Sequence, residues 1–428
     1  MPNGMPAGSG RVRSPASADA ATPFPRLKGP RVMALALFAL ALGAFAIGTT
    51  EFVIMGLLPE VAVGLDVSIP AAGSLISAYA VGVVLGAPLL TALSTRLPRK
   101  SALLLFLGVF IAGNLVTALA PSYPTVFLAR LLAGLPHGAF LGVGTLVAAN
   151  LVGPAGKATA VSRVLLGLTV ANIVGVPGGT FLGQVFGWRA AFLVVAAIGA
   201  VAVLGVLAYV PRMPAPEGVG LRREIAALGR RQVVLGLTTG VFGFAGVFAV
   251  YSYISPMMTE LAGMPAGAVP VVLALFGVGM TAGSLVVGPL ADRALRPTIY
   301  ASLALLAVVL VLFTFAVHNP WTAAIGVVLL GGAGFGVTAP LQVLVMNEAR
   351  DAPTMAAASN HSAFNLANAG GAWLGGVGIS AGLGLISPAL IGAVLTVVGL
   401  ALALTAGRSA RRPGTTATPD REPVEATR

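Results

Sequence analysis

Long apolar runs, separated by short polar segments, dominate the pattern of this chain. Twelve such runs are predicted, each close to the roughly 20 residues that a helix needs to cross the hydrocarbon core of a bilayer. Their approximate bounds are 33–57, 71–93, 101–120, 125–150, 158–183, 190–210, 233–256, 268–291, 298–317, 321–346, 356–380 and 385–406. The pattern therefore predicts an all-α membrane protein with twelve transmembrane helices.

The polar segments divide the runs into two sets of six. A linker rich in proline and arginine, 211–232, separates an N-terminal six-helix bundle, 33–210, from a C-terminal bundle, 233–406. We expect the tails, 1–32 and 407–428, to be disordered, because they are polar and contain no long apolar run. The N-terminal tail does not read as a cleavable signal peptide, since no short apolar core there ends in a small-residue cleavage site.

Composition supports a membrane protein and argues against an enzyme. The 428 residues are 57% hydrophobic and 9% charged, whereas a soluble domain carries about 25% charged residues. Cysteine is absent and the three histidines are dispersed, so no metal site is predicted. Glycine-rich patterns without a preceding strand do not indicate a phosphate loop. We expect no enzymatic activity and no cofactor.

The distribution of positive charge predicts the orientation. If the N-terminus is cytoplasmic, all but two of the 25 basic residues fall in the tails or in loops on the cytoplasmic side, the exceptions being Arg189 and the intramembrane Arg130. Positive charge marks cytoplasmic loops, so both termini and the linker are expected inside the cell membrane. Topology explains the net charge of +12. Anionic lipid is an expected partner, and nucleic acid is not.

An internal repeat relates the two halves. The segment GVVLGAPLLTALSTRLPRK, from Gly82, matches GMTAGSLVVGPLADRALRP, from Gly279, at a constant offset of 197 positions. Gly86 then pairs with Gly283. Two related six-helix halves with a binding site between them are an established architecture of secondary transporters. The repeat therefore predicts two pseudo-symmetric bundles.

Several motifs resemble one transporter family. The stretches FAIGTTEFVIMGLLPEVA (45–62) and RLLAGLPHGAFLGVG (130–144) resemble chloramphenicol-efflux and sugar-efflux permeases of the major facilitator superfamily, within its twelve-helix drug:proton antiporters. The resemblance covers roughly 33–406. It implies the major facilitator fold and proton-coupled antiport.

The family's cytoplasmic loop signature, G-x-x-x-D-R-x-G-R-K, occurs here in two altered copies. In the first copy, TALSTRLPRK, threonine and proline replace both glycines and the aspartate, at Thr91, Thr95 and Pro98. That copy keeps three basic residues, Arg96, Arg99 and Lys100. The second copy keeps Gly288, Asp292 and Arg293. The resemblance implies that these loops gate the transport cycle, with the second copy carrying more of the latch.

The fifth run contains the antiporter signature that the resemblance implies, GLTVANIVGVPGGTFLG. Small residues let two helix backbones approach closely, and a proline bends a helix by removing a backbone donor. A bent, closely packed helix suits a pivot between rocking halves, although ordinary membrane-helix packing explains the same spacing. The motif residues are Gly167, Gly175, Pro177, Gly178, Gly179 and Gly183.

Charged residues inside the membrane are costly and mark candidate functional sites. Glu51 in the first run and Arg130 in the fourth both lie six residues, or about 9 Å, from the outer boundary. His137 follows Arg130 by seven residues and so shares its helical face. We expect Glu51 to carry the coupling proton, Arg130 to set its affinity, and His137 to relay protons. The alternatives are a static ion pair and a packing histidine.

Polar and aromatic residues within the runs are candidate contacts to a substrate in a central cavity. Hydrogen bonding between helices is the alternative for each of them. For Asn360, His361 and Asn365, at the start of the eleventh run, we expect a structural role. The candidate cavity residues are Tyr79, Asn172, Tyr251, Tyr253 and Gln342.

Taken together, these features predict a secondary active transporter. The leading interpretation is a monomeric proton-coupled antiporter that exports small neutral or amphipathic compounds such as antibiotics. A sugar or metabolite exporter is the second, uptake by symport the third, and a channel or non-transporting membrane sensor belongs to a different class. The chain contains no nucleotide-binding motif, so its partners are expected to be a small-molecule substrate, protons and the bilayer.

Overall fold

The computed structural model describes residues 29–94, 96–152, 156–214, 229–349 and 353–411, and every regular element in these ranges is a helix. Twelve long helical segments follow one another along the chain. We label them α1 Pro30–Gly56, α2 Ile69–Ser94, α3 Arg99–Leu119, α4 Tyr123–Gly134 and His137–Leu151, α5 Lys157–Val170 and Val176–Phe186, α6 Trp188–Tyr209, α7 Arg231–Tyr251, α8 Val269–Arg293, α9 Leu295–Ala316, α10 Pro320–Gly336 and Thr338–Glu348, α11 Pro353–Gly378, and α12 Ser387–Arg411. Shorter elements are Leu58–Leu65, Ala171–Gly175, Ile254–Pro256, Met257–Leu261, Ala266–Ala268 and Ile379–Leu383.

Eleven of the twelve predicted spans are long and apolar enough to cross a membrane, within the described residues. The exception is α11, which is a helix of 26 residues but carries asparagine, histidine and serine among its glycines. The all-helical fold with its multiple spans is therefore confirmed, whereas the eleventh run is a helix whose crossing of the membrane stays a prediction.

Three helices extend a few residues beyond the apolar runs that bound the predicted tails and linker. Helix α1 already begins at Pro30, where proline suits the first helical turn because its missing N–H would have had no partner there. Helix α12 extends to Arg411, and α7 begins at Arg231. The predictions of disorder for the rest of both tails, and of a linker over 215–228, lie outside the described residues.

Prolines interrupt three of the predicted continuous runs. Pro136 follows the end of the first piece of α4, and Pro340 lies four residues after Gly336, where the first piece of α10 ends. In α5, a π-helical segment, Ala171–Gly175, ends two residues before Pro177. Proline removes the hydrogen bond to the carbonyl four residues earlier, so each break follows from the sequence.

The internal repeat holds in three dimensions. A side chain at Gly82 of α2 would meet the carbonyl oxygen of Leu131 in α4, and one at Gly279 of α8 would meet that of Val328 in α10. Leu131 and Val328 are separated by the same 197 positions as the two glycines. The two halves therefore pack their second and fourth helices in one register, as the repeat predicts.

The halves close on each other at one end of the bundle. We call the end where α1 begins and α12 ends the terminal end, and the opposite end the remote end. One apolar core extends through the second half and, at the remote end, joins Phe52 and Trp188 of the first half to Phe248 and Val269 of the second. The separate core around Phe106 contains first-half residues alone.

Hydrogen bonds also cross between the halves toward the remote end. The Oγ of Ser77 in α2 donates to the carbonyl of Ala369 in α11 over 2.9 Å, and Nε2 of Gln184 donates to the carbonyl of Ala266 over 3.0 Å. At Gly73, a side chain would meet the ring of Tyr253 from the other half. The described structure is therefore closed at its remote end.

Adding one methyl group tests the close helix packing. Gly134 and its repeat partner Gly331 face the carbonyl oxygens of Tyr79 and Phe276, so Gly134→Ala or Gly331→Ala should destabilise the protein by about 1–3 kcal/mol through overpacking. Gly142 has no atom within 4 Å of an added Cβ, so Gly142→Ala should leave stability unchanged or raise it by up to about 1 kcal/mol. Thermal unfolding of the three variants in one detergent measures these changes in stability. Equal changes at all three positions would contradict the packing register of the second and fourth helices.

Candidate proton-coupling site

A buried polar cluster lies inside the first half, where α1, α2 and α4 meet. Arg130 lies near the end of the first piece of α4 and is 0% exposed, while Glu51 on α1 is 8% exposed. His137 begins the second piece of α4, directly after the break at Pro136. The proline break thus places two of the predicted proton-coupling residues on either side of a bend.

Arg130 is bound to the backbone and side chain of one α1 residue. Its Nη1 donates to Oγ1 of Thr50 over 3.1 Å and its Nη2 donates to the carbonyl oxygen of Thr50 over 3.0 Å. The Thr50 hydroxyl donates in turn to Oδ1 of Asn114 over 2.5 Å. The guanidinium also lies 4.5 Å from the ring centre of Tyr79 and 5.3 Å from that of Phe192, and such faces attract a cation.

Glu51 and Arg130 form no salt bridge among the residues that the structure describes, so the alternative of a static ion pair is not what the geometry shows. The basic atom that lies within 4.0 Å of the carboxylate is Nδ1 of His137, at that distance from Oε2. The roles expected for Glu51 and Arg130 in proton coupling stay predictions.

Tyr79, a predicted cavity residue, lies in this cluster. Its hydroxyl lies 3.1 Å from Nδ1 of His137, and the phenol donates this bond when the imidazole proton is on Nε2. The tyrosine therefore contacts both His137 and Arg130, and it fixes the imidazole that faces Glu51.

The fifth-helix glycines hold α1, the helix that carries Glu51. A side chain at each of four motif glycines would meet a residue on one face of α1 or at its C-cap, spaced by one or two helical turns: Gly167 meets Ala41, Gly175 meets Thr49, Gly179 meets Val53 and Gly183 meets Leu57. Gly178 points away and has no neighbour within 4 Å of an added Cβ. Four glycines of the motif thus serve close packing of α5 on α1, and Pro177 follows the π-helical segment.

The other predicted cavity residues lie mainly in the second half and are not gathered at one point. The ring of Tyr251 stacks on Phe276 with 3.8 Å between centres, and the hydroxyl of Tyr253 donates to the carbonyl of Ala372 over 2.8 Å. Gln342 is half-buried on α10. Asn172 lies in the π-helical segment, and its carbonyl would meet a side chain at Gly277 of the other half.

The predicted gating residues of the first copy have structural contacts at the terminal end. Nζ of Lys100 donates to the carbonyl of Leu207 over 2.7 Å, and so binds one of the last carbonyls of α6, a position that favours a cation. The backbone N–H of Arg99 donates to the carbonyl of Met213. Arg96 is exposed.

The second copy of the loop signature lies exposed at the terminal end. Asp292 and Arg293 are exposed, a side chain at Gly288 would meet nothing within 4 Å, and no ion pair in the described ranges involves Asp292. Instead Arg296, the repeat partner of Arg99, forms an ion pair with Glu348 at 2.8 Å. This pair joins α9 to the end of α10.

Sequence reasoning missed three residues that complete the site. Thr50, Asn114 and Phe192 surround Arg130. Asn114 was detectable as an amide within an apolar run, whereas Thr50 and Phe192 are ordinary residues of membrane helices. Their role follows from their position around the Arg130 side chain.

Two repeat-related six-helix halves around buried charged residues define a membrane transporter of the secondary type. The family model for the Major Facilitator Superfamily matches residues 40–376. The chain therefore belongs to this superfamily of multi-pass membrane transporters.

Relatives and solved structures agree with this assignment. The chain is 45% identical over 368 residues to the inner membrane transport protein YdhP of Escherichia coli K12, with 86% of this chain and 94% of that protein covered. It is 34% identical over 375 residues to the chloramphenicol resistance protein of Streptomyces lividans, covering 87% and 96%. A bacterial homolog of the human lysosomal transporter Spinster, in an inward-facing conformation, shares the fold with a TM-score of 0.70 at 16% identity, covering 89% and 98%.

Replacing Arg130 by lysine tests the contacts of the cluster. Lysine cannot donate two parallel hydrogen bonds with a planar group or stack in the same way, so Arg130→Lys should lower the free energy of unfolding by about 1–3 kcal/mol. Arg189 is a matched control, since it also donates to a carbonyl and lies 4.3 Å from a ring centre but is half-exposed. Arg189→Lys should cost less than about 1 kcal/mol. Thermal unfolding compares the two variants. An equal loss of stability in both would contradict the stabilising role of the buried Arg130 contacts.

Proposed function

We propose that this protein is a proton-coupled antiporter that exports small neutral or amphipathic compounds, such as antibiotics, from the cytoplasm. The observation that carries the proposal is the position of Glu51: a carboxyl group inside a membrane helix, 8% exposed, whose close basic neighbour is a histidine at 4.0 Å. The other described acidic residues lie in the short helix 58–65, in remote loops or at terminal helix ends.

The proposed coupling follows from the cost of burying charge. A carboxylate removed from water without a salt bridge to a permanent cation is costly in free energy, and taking up a proton relieves that cost. In the remote-closed state, Glu51 therefore holds a proton. Its release requires water or a polar substrate to reach the cluster from the terminal end, and the positive charge of Arg130 then favours the carboxylate that remains.

His137 and Tyr79 are proposed to guide the proton. His137 lies between the Glu51 carboxylate and the Tyr79 hydroxyl, so its imidazole is placed to exchange a proton with Glu51. Tyr79 orients that ring and at the same time packs against Arg130. A substitution of His137 or Tyr79 therefore affects the surroundings of both Glu51 and Arg130.

The direction and the cargo rest on the motifs and on one relative. The fifth-helix glycines hold α1 as the antiporter signature implies, and the chloramphenicol resistance protein of Streptomyces lividans is 34% identical. Basic residues concentrate at the terminal end, so we propose that both termini are cytoplasmic in the cell membrane. The remote-closed structure then faces inward. One proton driven by 100 mV and one pH unit supplies about 3.7 kcal/mol, which is enough for useful export of a neutral solute.

A sugar or metabolite exporter is the second candidate, because unpartnered asparagine amides on α11 offer hydrogen-bonding groups to a hydroxylated solute. The two candidates share the proposed proton site and differ in the substrate. A channel would instead conduct ions without a proton requirement.

Glu51→Gln tests the coupling. The variant keeps the size and hydrogen-bonding capacity of the side chain but cannot exchange a proton. In proteoliposomes loaded with a transported antibiotic, we expect proton-driven transport to fall at least tenfold, whereas substrate exchange without a gradient continues.

Glu260→Gln is the matched control, because Glu260 is an exposed acid at the remote end and should leave coupled transport unchanged. Undiminished proton-driven transport by Glu51→Gln would refute the proposal. Ion conductance without substrate movement would favour a channel.

A further inference from the structure

A carboxyl group with an unsatisfied oxygen lies where the two halves close at the remote end. Glu60 belongs to the short helix Leu58–Leu65 that follows α1. Its side chain is half-buried, and its Oε2 is buried without a hydrogen-bond partner. Among the residues that the structure describes, no salt bridge involves Glu60. The remote closure therefore withdraws this acid from water and leaves it without a cation.

Apolar and aromatic side chains pack around the short helix that carries Glu60. Gly64 follows Glu60 by one helical turn, and a side chain there would meet the indole nitrogen of Trp188 in α6. Val61 belongs to the apolar core that joins the two halves. The short helix also contacts the segment Ile254–Pro256 of the second half. Closing the halves therefore removes water from the surroundings of Glu60.

Gln184, near the end of α5, connects Glu60 to the second half. Its Nε2 donates to the carbonyl of Ala266 over 3.0 Å, and its side chain also interacts with the Glu60 carboxyl group. Ala266 begins the 3-10 turn that leads directly into α8. We call Glu60, Gln184 and the Ala266 carbonyl the remote contact. One amide thus serves both the acid and a hydrogen bond that holds the halves together.

We infer that Glu60 is a second proton-binding site, and that a proton bound there stabilises the closure of the remote end. A neutral carboxyl group leaves the Gln184 amide available to donate to Ala266. A carboxylate is a stronger acceptor and competes for that amide, and it needs water that the closed end excludes. The inference goes beyond the proposed antiport, because this site is separate from Glu51 and acts on the contact between the halves.

The surroundings of Glu60 give the direction of its pH dependence. Burial raises the pKa of the carboxyl group, and the opposing effects of its own backbone N–H and of the Gln184 amide are smaller. The closed state therefore binds the proton more tightly than a state in which water reaches Glu60. This stabilisation is fully present below the ordinary glutamate pKa of about 4.3 and is lost as the pH rises through the raised value. In the proposed orientation, acid outside the cell then favours closure of the remote end.

Three charged residues lie on the elements that pack around Glu60. Asp66 at the C-cap of the short helix and Glu260 in the segment 257–261 are exposed. Arg189 of α6 donates to a backbone carbonyl and lies against the ring of Trp188. In the described ranges, none of the three forms an ion pair with Glu60. Glu260 therefore serves as an acidic control at the same end.

A distance measurement across the remote end tests the inference. The chain has no cysteine, so Val63→Cys and Gly267→Cys place one spin label in each half. Val63 is 84% exposed, and a Cβ at Gly267 would meet nothing within 4 Å. Double electron–electron resonance on the purified full-length protein in nanodiscs gives the closed and open populations. We expect the closed-to-open ratio to fall about tenfold between about pH 4.5 and about pH 9.

Glu60→Gln separates proton binding from packing, because the amide has the size of the acid and stays neutral. In the labelled protein, we expect this variant to match its parent at the acidic end of the range. At the basic end, its closed-to-open ratio should be about tenfold higher than that of the parent. Glu260→Gln should follow the parent throughout. Gln184→Met removes the hydrogen bond to Ala266, so it should lower the closed-to-open ratio at the acidic end.

Three results would overturn the inference. The first is a closed population of the parent protein that does not change with pH. The second is a Glu60→Gln variant that follows its parent at every pH, or that differs from it equally at both ends of the range, as a purely structural carboxyl group would. The third is a Gln184→Met variant that closes like its parent under acidic conditions. The measurement uses neither a proton gradient nor a substrate, so its outcome is independent of the proposed antiport.

Discussion

Lipid tails offer no hydrogen-bond partners. Each polar group in a membrane helix must therefore find a partner inside the protein or remain unsatisfied at a cost in free energy. The two terminal nitrogens of Arg130 show the first outcome, since Thr50 accepts a hydrogen bond from each of them and two aromatic faces cover the guanidinium. Glu51 and the α11 asparagines show the second. Polar groups with a hydrogen-bond partner hold the helices together. Polar groups without one are available to a proton or a ligand.

Close packing without large side chains makes this arrangement possible. Glycines of α5 bring that helix against α1, and Gly82 and Gly279 do the same for the second and fourth helices of each half. Dispersion forces and backbone contact, in place of a hydrophobic effect, hold membrane helices together. The register is identical in both halves, but only the first half carries the arginine: the repeat position of Arg130 is Val327. The fold is therefore symmetric in its packing and asymmetric in its chemistry.

The sequence predicted the fold well because hydrophobic length and glycine spacing determine it locally. It predicted that Glu51, Arg130 and His137 belong together, and they are neighbours, but it did not predict that the His137 imidazole lies within 4.0 Å of the Glu51 carboxylate. Depth along two helices fixes how far residues lie from the boundary, whereas the pairing depends on which way each side chain points around its helix. The same limit applies to Tyr79, which was assigned to a cavity, and to α11, where burial of the asparagines and the absence of partners appear only once the helices are packed.

The central claim is that Glu51 holds a proton in the remote-closed state and gives it up when substrate binds. Proton release on ligand binding measures this directly, with a pH indicator in weakly buffered detergent solution and chloramphenicol as the ligand. The account predicts that saturating ligand releases protons from the wild-type protein and none from Glu51→Gln. No release from the wild-type protein on demonstrated binding, or equal release from Glu51→Gln, would contradict it.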